Sequence, residues 1–446
     1  MIENRELNSI EQATEMLNRC AGTFNVVTVM RLTGPLNEKI VRQALDLVQR
    51  RHPRLNSRIV EAWGSMRFET EGTQQIPLRI VKGVYNQAWQ DVVSSELNET
   101  IDSSKVLMRA VLIPPESAEG ESYLITTIHH AIVDGLSSIR MHQDLLTYMQ
   151  KIASGEQITQ VDSLSPLPPL EKLLPESMQG WTGQLKSVSY LLSWMFQYLG
   201  NIPETLGFEK CVPIELRRCG WVTRQLDKEL TGEIVNRCWQ EKATVQGALC
   251  AALMFATARK ITLGNRKDVR VSCNSAVDLR RSLSPVVSHE EMGLLASNVT
   301  TWHTIGSNTS FWELARDVRQ QLNASIKGDD IYSMVLMFGK TIESYLAWPN
   351  LAFVTGGVSY VGDVTIPRVY GLFKLEEMSL TAGMAAYGGL LVVVVTKFEG
   401  RMILNFTYSE PSISRDIVET IADEMLYYLA RESGTGLTQV EARNPV

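Results

Sequence analysis

The residues best suited to chemistry lie in SYLITTIHHAIVDGLSSIR, where a β-rich run ends on His129-His130 and leads through Asp134-Gly135 to a helix start at Ser137 or Ser138. The chain has only six histidines, and two are adjacent here. Side chains alternate between the faces of a strand. If that alternation holds to the end, His130 shares a face with Leu124 and Ile128, and His129 shares the other with Ile125 and Thr127. The two imidazoles then point opposite ways. One can face a reaction cavity, where a neutral imidazole takes a proton from a hydroxyl or an amine; the other can only support it. Asp134 falls at the strand-to-helix turn, where a carboxylate can accept backbone N–H groups or pair with an arginine, and Gly135 permits the tight backbone of such a turn. Histidine pairs at strand ends also serve as hydrogen-bonded filler, and the spacing alone does not separate the two roles.

Such residues act only if regular elements hold them. Asn25 to Leu32 is β-rich, and Leu36 to Arg51 carries Ile40, Val41, Ala44, Leu45 and Val48 at helical spacing, ended by Pro53. Val106 to Ile113 and Tyr123 to Ile128 read as strands around the turn-rich PPESAEGES, and Ser138 to Gln150 reads as a helix. From Ser154 to Cys211 prolines at 166, 168, 169, 175 and 203 punctuate a stretch with one apolar helical segment, Ser187 to Leu199, which reads as packed on a domain because it lacks a basic face. The α/β alternation then resumes. Helices are expected at Thr244 to Lys260, Phe311 to Ile326 and Ser414 to Arg431, with a strand at Asp268 to Cys273 and a β-rich run from Leu351 to Tyr408 in which Leu391 to Val395 is a buried central strand. The expectation is two α/β halves, 1–153 and 212–446, joined by a linker at 154–211.

Composition bounds the function classes. The 446 residues carry 43 Lys plus Arg against 49 Asp plus Glu, a net charge of −6, so no global positive field draws the chain to nucleic acid or anionic lipid. Apolar residues make up 44%, which suits a full core and excludes disorder. Six cysteines without a C-x-x-C pair fit reduced thiols better than a disulfide framework or a zinc site. MIENRELNSIEQ has no apolar signal region, and no apolar run reaches the roughly 18 residues of a membrane span, so a cytoplasmic location is expected. Other catalytic motifs fail by position. Gly339-Lys340-Thr341 lacks the earlier glycine of a phosphate loop, since that place is Met334; no G-x-S-x-G occurs; and His289-Glu290-Glu291 meets Gly293 where a zinc helix needs histidine.

His129-His130-Ala-Ile-Val-Asp134-Gly135 matches the HHxxxDG signature and resembles the chloramphenicol acetyltransferase-like superfamily, which includes peptide-synthetase condensation domains, plant BAHD acyltransferases and stand-alone polyketide-associated acyltransferases. LNEKIVRQALDLVQRRHPRLNSRIV (36–60) looks like that family's first helix and its exit, and VLMRAVLI (106–113) like the strand before the motif. ATVQGALCAALMFATAR, VDLRRSLSPVVSHEEMGLLASNV (277–299) and FWELARDVRQQL extend the likeness through the second half, and GVSYVGDVTIP (357–367) is similar to a "vSNlG" strand-turn. Two departures are visible. No DFGWG segment is present, the nearest stretch being Tyr370-Gly371-Leu372-Phe373, which disfavours the plant branch; and Tyr360 stands where the strand-turn has asparagine.

The resemblance implies two similar subdomains in a V with a tunnel at their interface. It makes His130 the general base, His129 its support, Asp134 a structural carboxylate paired with Arg280 (Arg281 second), and Gly135 a backbone hinge whose N–H lies near the oxyanion. Ser359 and Tyr360 would belong to the channel wall. No covalent acyl-enzyme, metal or permanently bound cofactor is implied. The donor is acyl-coenzyme A or acyl-phosphopantetheine on a carrier protein, the acceptor an alcohol giving an ester; an amine giving an amide is the alternative, and an inactive scaffold a third. A monomer is expected. His142 reads as a packed residue and His52 as a helix cap.

Overall fold

The computed structural model describes residues 4–434 apart from 21, 23, 63, 83–87, 116–119 and 265–267, so the middle of PPESAEGES lies outside the described residues. In chain order the first elements are β1 (Arg5–Glu6), α1 (Ser9–Arg19), β2 (Val26–Thr33), α2 (Glu38–Arg51), β3 (Arg58–Ala62), β4 (Ser65–Glu69) and β5 (Leu78–Ile80). They are followed by α3 (Ala88–Glu96), β6 (Met108–Ile113), β7 (Ser122–Ile128), α4 (Gly135–Ala153), α5 (Gly180–Gly200), β8 (Arg218–Leu226), α6 (Lys228–Gln240) and α7 (Val245–Ile261). The remainder is β9 (Val269–Asp278), β10 (Ala296–Ile305), α8 (Phe311–Lys327), α9 (Asp330–Ala347), β11 (Gly356–Asp363), β12 (Val369–Tyr370), β13 (Phe373–Ala382), β14 (Leu391–Phe398), β15 (Arg401–Glu410) and α10 (Arg415–Ser433). The chain is thus a mixed α/β protein of two units, each with a six-stranded sheet and its own helices.

The first unit holds residues 1–173, 280–295 and 363–383. Its large sheet runs β12-β13-β2-β7-β6-β5, beside a small one, β1-β4-β3. β2 and β7 pair antiparallel, with Val26 opposite Ile128 and Thr28 opposite Thr126. Those two threonines face α4: Thr28 Oγ1 lies 2.8 Å from Ser138 Oγ, and Thr126 Oγ1 lies 2.8 Å from His142 Nε2. Neighbouring Thr127 bonds Glu96 of α3 instead, through Oγ1 at 2.6 Å, which is the period-2 alternation of a strand covered on both faces. α2 starts where Asn37 accepts the Ile40 N–H at 3.1 Å and packs on α4.

The second unit holds 174–279, 296–362 and 384–446. Its sheet runs β10-β9-β11-β14-β15-β8, with β11 parallel to β9 and β14 in the interior. α7 is capped by Thr244, whose Oγ1 accepts the Gly247 N–H at 3.0 Å, and is buried along most of its length from Gly247 to Ala258 because α8 and α10 both pack against it. α5 and α9 pack on each other.

The contact division differs from cuts at 153 and 211. The first unit runs on to 173, α5 belongs wholly to the second unit, and two late segments return to the first. β13 adds to β2 through backbone hydrogen bonds, with Met378 opposite Met30. Backbone groups are the same in every residue, so periodicity announced a strand in 351–408 but not which sheet it joins. His142 is fully buried, with Nδ1 2.6 Å from the Ser138 carbonyl oxygen, and burial pushes its pKa down to about 4. His52 is the C-cap residue of α2 through its backbone, while its ring lies 3.0 Å from Asp144, which also binds Arg51 Nε at 2.8 Å.

Because β13 completes the first unit's sheet with a fully buried Met378, Met378→Ala should cost about 2–5 kcal/mol of stability. A urea titration checks this; a loss under about 1 kcal/mol would show the late strand to be dispensable to that core.

Candidate functional site

β7 ends at Ile128, and the strand alternation ends with it: His129 caps a single 3-10 turn, His130–Ile132, before Asp134 opens α4. The two rings nevertheless meet different surroundings. His129 is fully buried. Its Nδ1 accepts the Ala131 N–H at 3.1 Å, so Nε2 carries the hydrogen that it donates to Glu15 Oε2 at 2.8 Å. Glu15, on α1, also accepts from Ser103 Oγ (2.7 Å) and Arg19 Nε (2.7 Å). Burial alone would push the Glu15 carboxyl up; the hydrogen bonds from His129, Ser103 and Arg19 more than offset it and hold the carboxyl below its ordinary range.

His130 is half-buried and stacks on Phe24, ring centroids 4.5 Å apart and planes 20° from parallel. Phe24 sits between α1 and β2 with φ 75°, a left-handed backbone that bulky side chains rarely adopt. Its N–H donates to the Gly383 carbonyl at 2.8 Å just after β13, which anchors this unusual conformation. Burial pushes the His130 pKa below 6.5, against the opposing pull of backbone groups at His130 and Val133 and of the Asp134 charge.

Asp134 is the hub of the turn. Oδ1 accepts the Ser137 N–H at 2.8 Å, capping α4, and Arg280 Nη2 at 3.0 Å; Oδ2 accepts the Leu295 N–H at 3.0 Å. Arg280, only 1% exposed, also donates to Ser137 Oγ at 2.7 Å, and Ser137 Oγ donates to the Gly293 carbonyl at 3.0 Å. Burial would raise the Asp134 carboxyl, but the Arg280 charge and bond and the two backbone N–H groups hold it below its ordinary 3.8. Gly135 is the first residue of α4. Its backbone is helical, so the turn does not draw on the conformational freedom expected of it; what remains is an N–H in the helix's first turn, free of an intrahelical partner.

His129, His130, Asp134, Gly135 and Arg280 therefore come together in the first unit. Ser359 and Tyr360 lie half-buried on β11 of the second unit, just beyond its last pairing with β9, Val358 opposite Ser275. Sequence reasoning missed Glu15, Phe24, Ser137 and Leu295. Asn8-x-x-Glu11 is a capping box that announces α1, and it would have set Glu11, Glu15 and Asn18 on one helical face. Nothing local marked Phe24. Among the described residues no cluster could hold a metal ion and no helix is long and apolar enough to cross a membrane.

Two six-stranded α/β units and a buried carboxylate locking a histidine turn define the class: a condensation-domain-like fold. Over the whole chain it is similar to polyketide synthase associated protein 5 from Mycobacterium tuberculosis (17% identity, covering 97% of this chain and 99% of that one, TM-score 0.69) and to the trichothecene 15-O-acetyltransferase of Fusarium sporotrichioides (12%, 96% and 95%, TM-score 0.77). The Condensation domain model matches residues 12–163, and the model of the phthiocerol/phthiodiolone dimycocerosyl transferase C-terminus matches 218–406. These likenesses are the ones that a resemblance to the chloramphenicol acetyltransferase-like superfamily implies. Among curated proteins it is 25% identical over 228 residues to a phthiocerol/phthiodiolone dimycocerosyl transferase of Mycobacterium ulcerans, and 22% identical over 373 residues to nonribosomal peptide synthetase kk1B of Curvularia clavata. The matches cover 50% and 82% of this chain, but about half (53%) of the first relative and 3% of the second.

Asp134→Asn would leave the buried Arg280 without a counter-charge and should destabilise by about 3–5 kcal/mol. The wild-type contribution of Asp134 should be complete above pH 3.8 and fade as pH falls through the lower folded value. Urea midpoints across that acid range check both; an Asp134→Asn protein with the wild-type acid profile would remove the carboxylate from the account.

Proposed function

We propose that this protein is an acyltransferase that moves an acyl group from a thioester, on coenzyme A or on carrier-protein phosphopantetheine, to an acceptor hydroxyl in specialised metabolism. The observation that carries the reading is the contrast between the two histidines. His129 commits both ring nitrogens to buried partners. His130 is left half-exposed, held by Phe24, with a pKa below 6.5 that keeps it neutral and able to accept a proton at pH 7. Its Nδ1 is buried, which leaves Nε2 to meet the acceptor.

In this scheme Nε2 of His130 removes the hydroxyl proton as the oxygen attacks the thioester carbonyl. The tetrahedral intermediate collapses, the C–S bond breaks, and the imidazolium returns the proton to the departing thiolate. Ester and free thiol are the products, and no acyl-enzyme forms. The Gly135 N–H is the proposed donor to the developing oxyanion. His129, Asp134 and Arg280 are positioning residues, acting through the turn that carries His130. Ser359 and Tyr360 are proposed as substrate-contacting residues of the second unit. The named transferases among the relatives support ester formation. The Condensation domain match, which spans the histidine turn, favours a second reading in which the acceptor is an amine and the product an amide.

Intact-mass detection of products from a panel of acyl thioesters with alcohol and amine acceptors separates the two readings. His130→Ala should lower kcat/KM by about 10²–10⁴ with the melting temperature unchanged; wild-type turnover in that variant would sink the proposal. For the wild type, kcat/KM should rise through a midpoint below pH 6.5 and be flat at neutral pH.

A further inference from the structure

α5 carries an apolar face that its own unit leaves bare. Its inner side is fixed: Trp194 and Tyr198 pack on Trp302, and Tyr198 on Phe353. On the outer side Trp181, Leu185, Val188, Leu192, Met195 and Leu199 are 75, 55, 48, 51, 46 and 64% exposed. Their spacing is four, three, four, three, four. That strict 3.5-residue repeat is the seam of a helix that pairs with another helix, narrower than the apolar face of a helix lying on lipid.

Three further observations select the partner. Lys186 is the only charged side chain of α5; it lies off the seam and is engaged with Asp329 at 3.3 Å. A second α5 therefore meets no like charge, and the helix lacks the basic flank that anionic membranes attract. The seam is also self-complementary. In an antiparallel pair centred on residue 190, Trp181 falls opposite Leu199, Leu185 opposite Met195 and Val188 opposite Leu192, so every seam residue meets another. That is the reciprocal contact a two-fold axis requires. Finally, with the neighbouring Phe196, 75% exposed, the apolar face runs the length of the helix and is on the order of the ~800 Å² per partner of a standard stable interface.

We propose that two copies of this chain associate through α5, antiparallel about residue 190. A dimer thus replaces the expected monomer. Sedimentation of the full chain at tens of micromolar should give a dimer. Leu192→Glu should weaken it at least about a hundredfold by burying a charge at the seam, with circular dichroism unchanged, and Leu185→Glu serves if that variant misfolds. Trp239→Glu, at an 86% exposed site on α6, should leave the dimer intact. Mixing the V188K and L192E single variants should restore association as a heterodimer, because position 188 of one copy faces position 192 of the other in the antiparallel register. A monomeric wild type, a dimer indifferent to seam charges, failure of the V188K rescue, or a monomer that binds phosphatidylcholine vesicles through α5 would each overturn the proposal.

Discussion

The buried Asp134 carboxylate organises the first unit's site. It caps α4, receives Arg280 and binds the Leu295 N–H, so one ion joins the strand-to-helix turn to a segment some 150 residues later in sequence. A charge buried to this degree is stable only when its lone pairs are filled and its counter-ion shares the same dry environment. The histidines inherit that rigidity. They lie between β7 and α4, and neither strand nor helix can move without disturbing the carboxylate.

The two histidines also illustrate how neighbours divide labour between identical side chains. His129 is drawn inward by Glu15, whose charge is stabilised by Arg19 and Ser103 as well. His130 is offered an aromatic face in place of a charge. A carboxylate at that ring would hold it protonated. Phe24 supplies orientation without a proton acceptor, which favours the neutral imidazole.

What the sequence disclosed follows from range. Local signals were legible: the apolar alternation of β2 and β7, the helical spacing in α2, the proline that ends it, and the His–His–Asp–Gly turn. Gly135, expected to permit a tight turn, is the first, helical residue of α4. Arg280 as partner of Asp134 came from family likeness, because no periodicity links positions 146 residues apart. Glu15 hid in a helix too short for its apolar spacing to be noticed, and Phe24 in a loop whose conformation depends on Gly383.

The return of 280–295 and 363–383 to the first unit has a consequence for biosynthesis. A ribosome releasing the first 173 residues has emitted both histidines, Asp134 and most of the sheet, yet Asp134 still lacks its arginine and β2 its neighbour β13. In that nascent half Asp134 waits for Arg280 and Leu295, and the β2 edge stays open until β13 has emerged, most of the second unit's chain by then being synthesised. The segments made first are therefore completed late, and the open β2 edge stays available for mispairing over the interval.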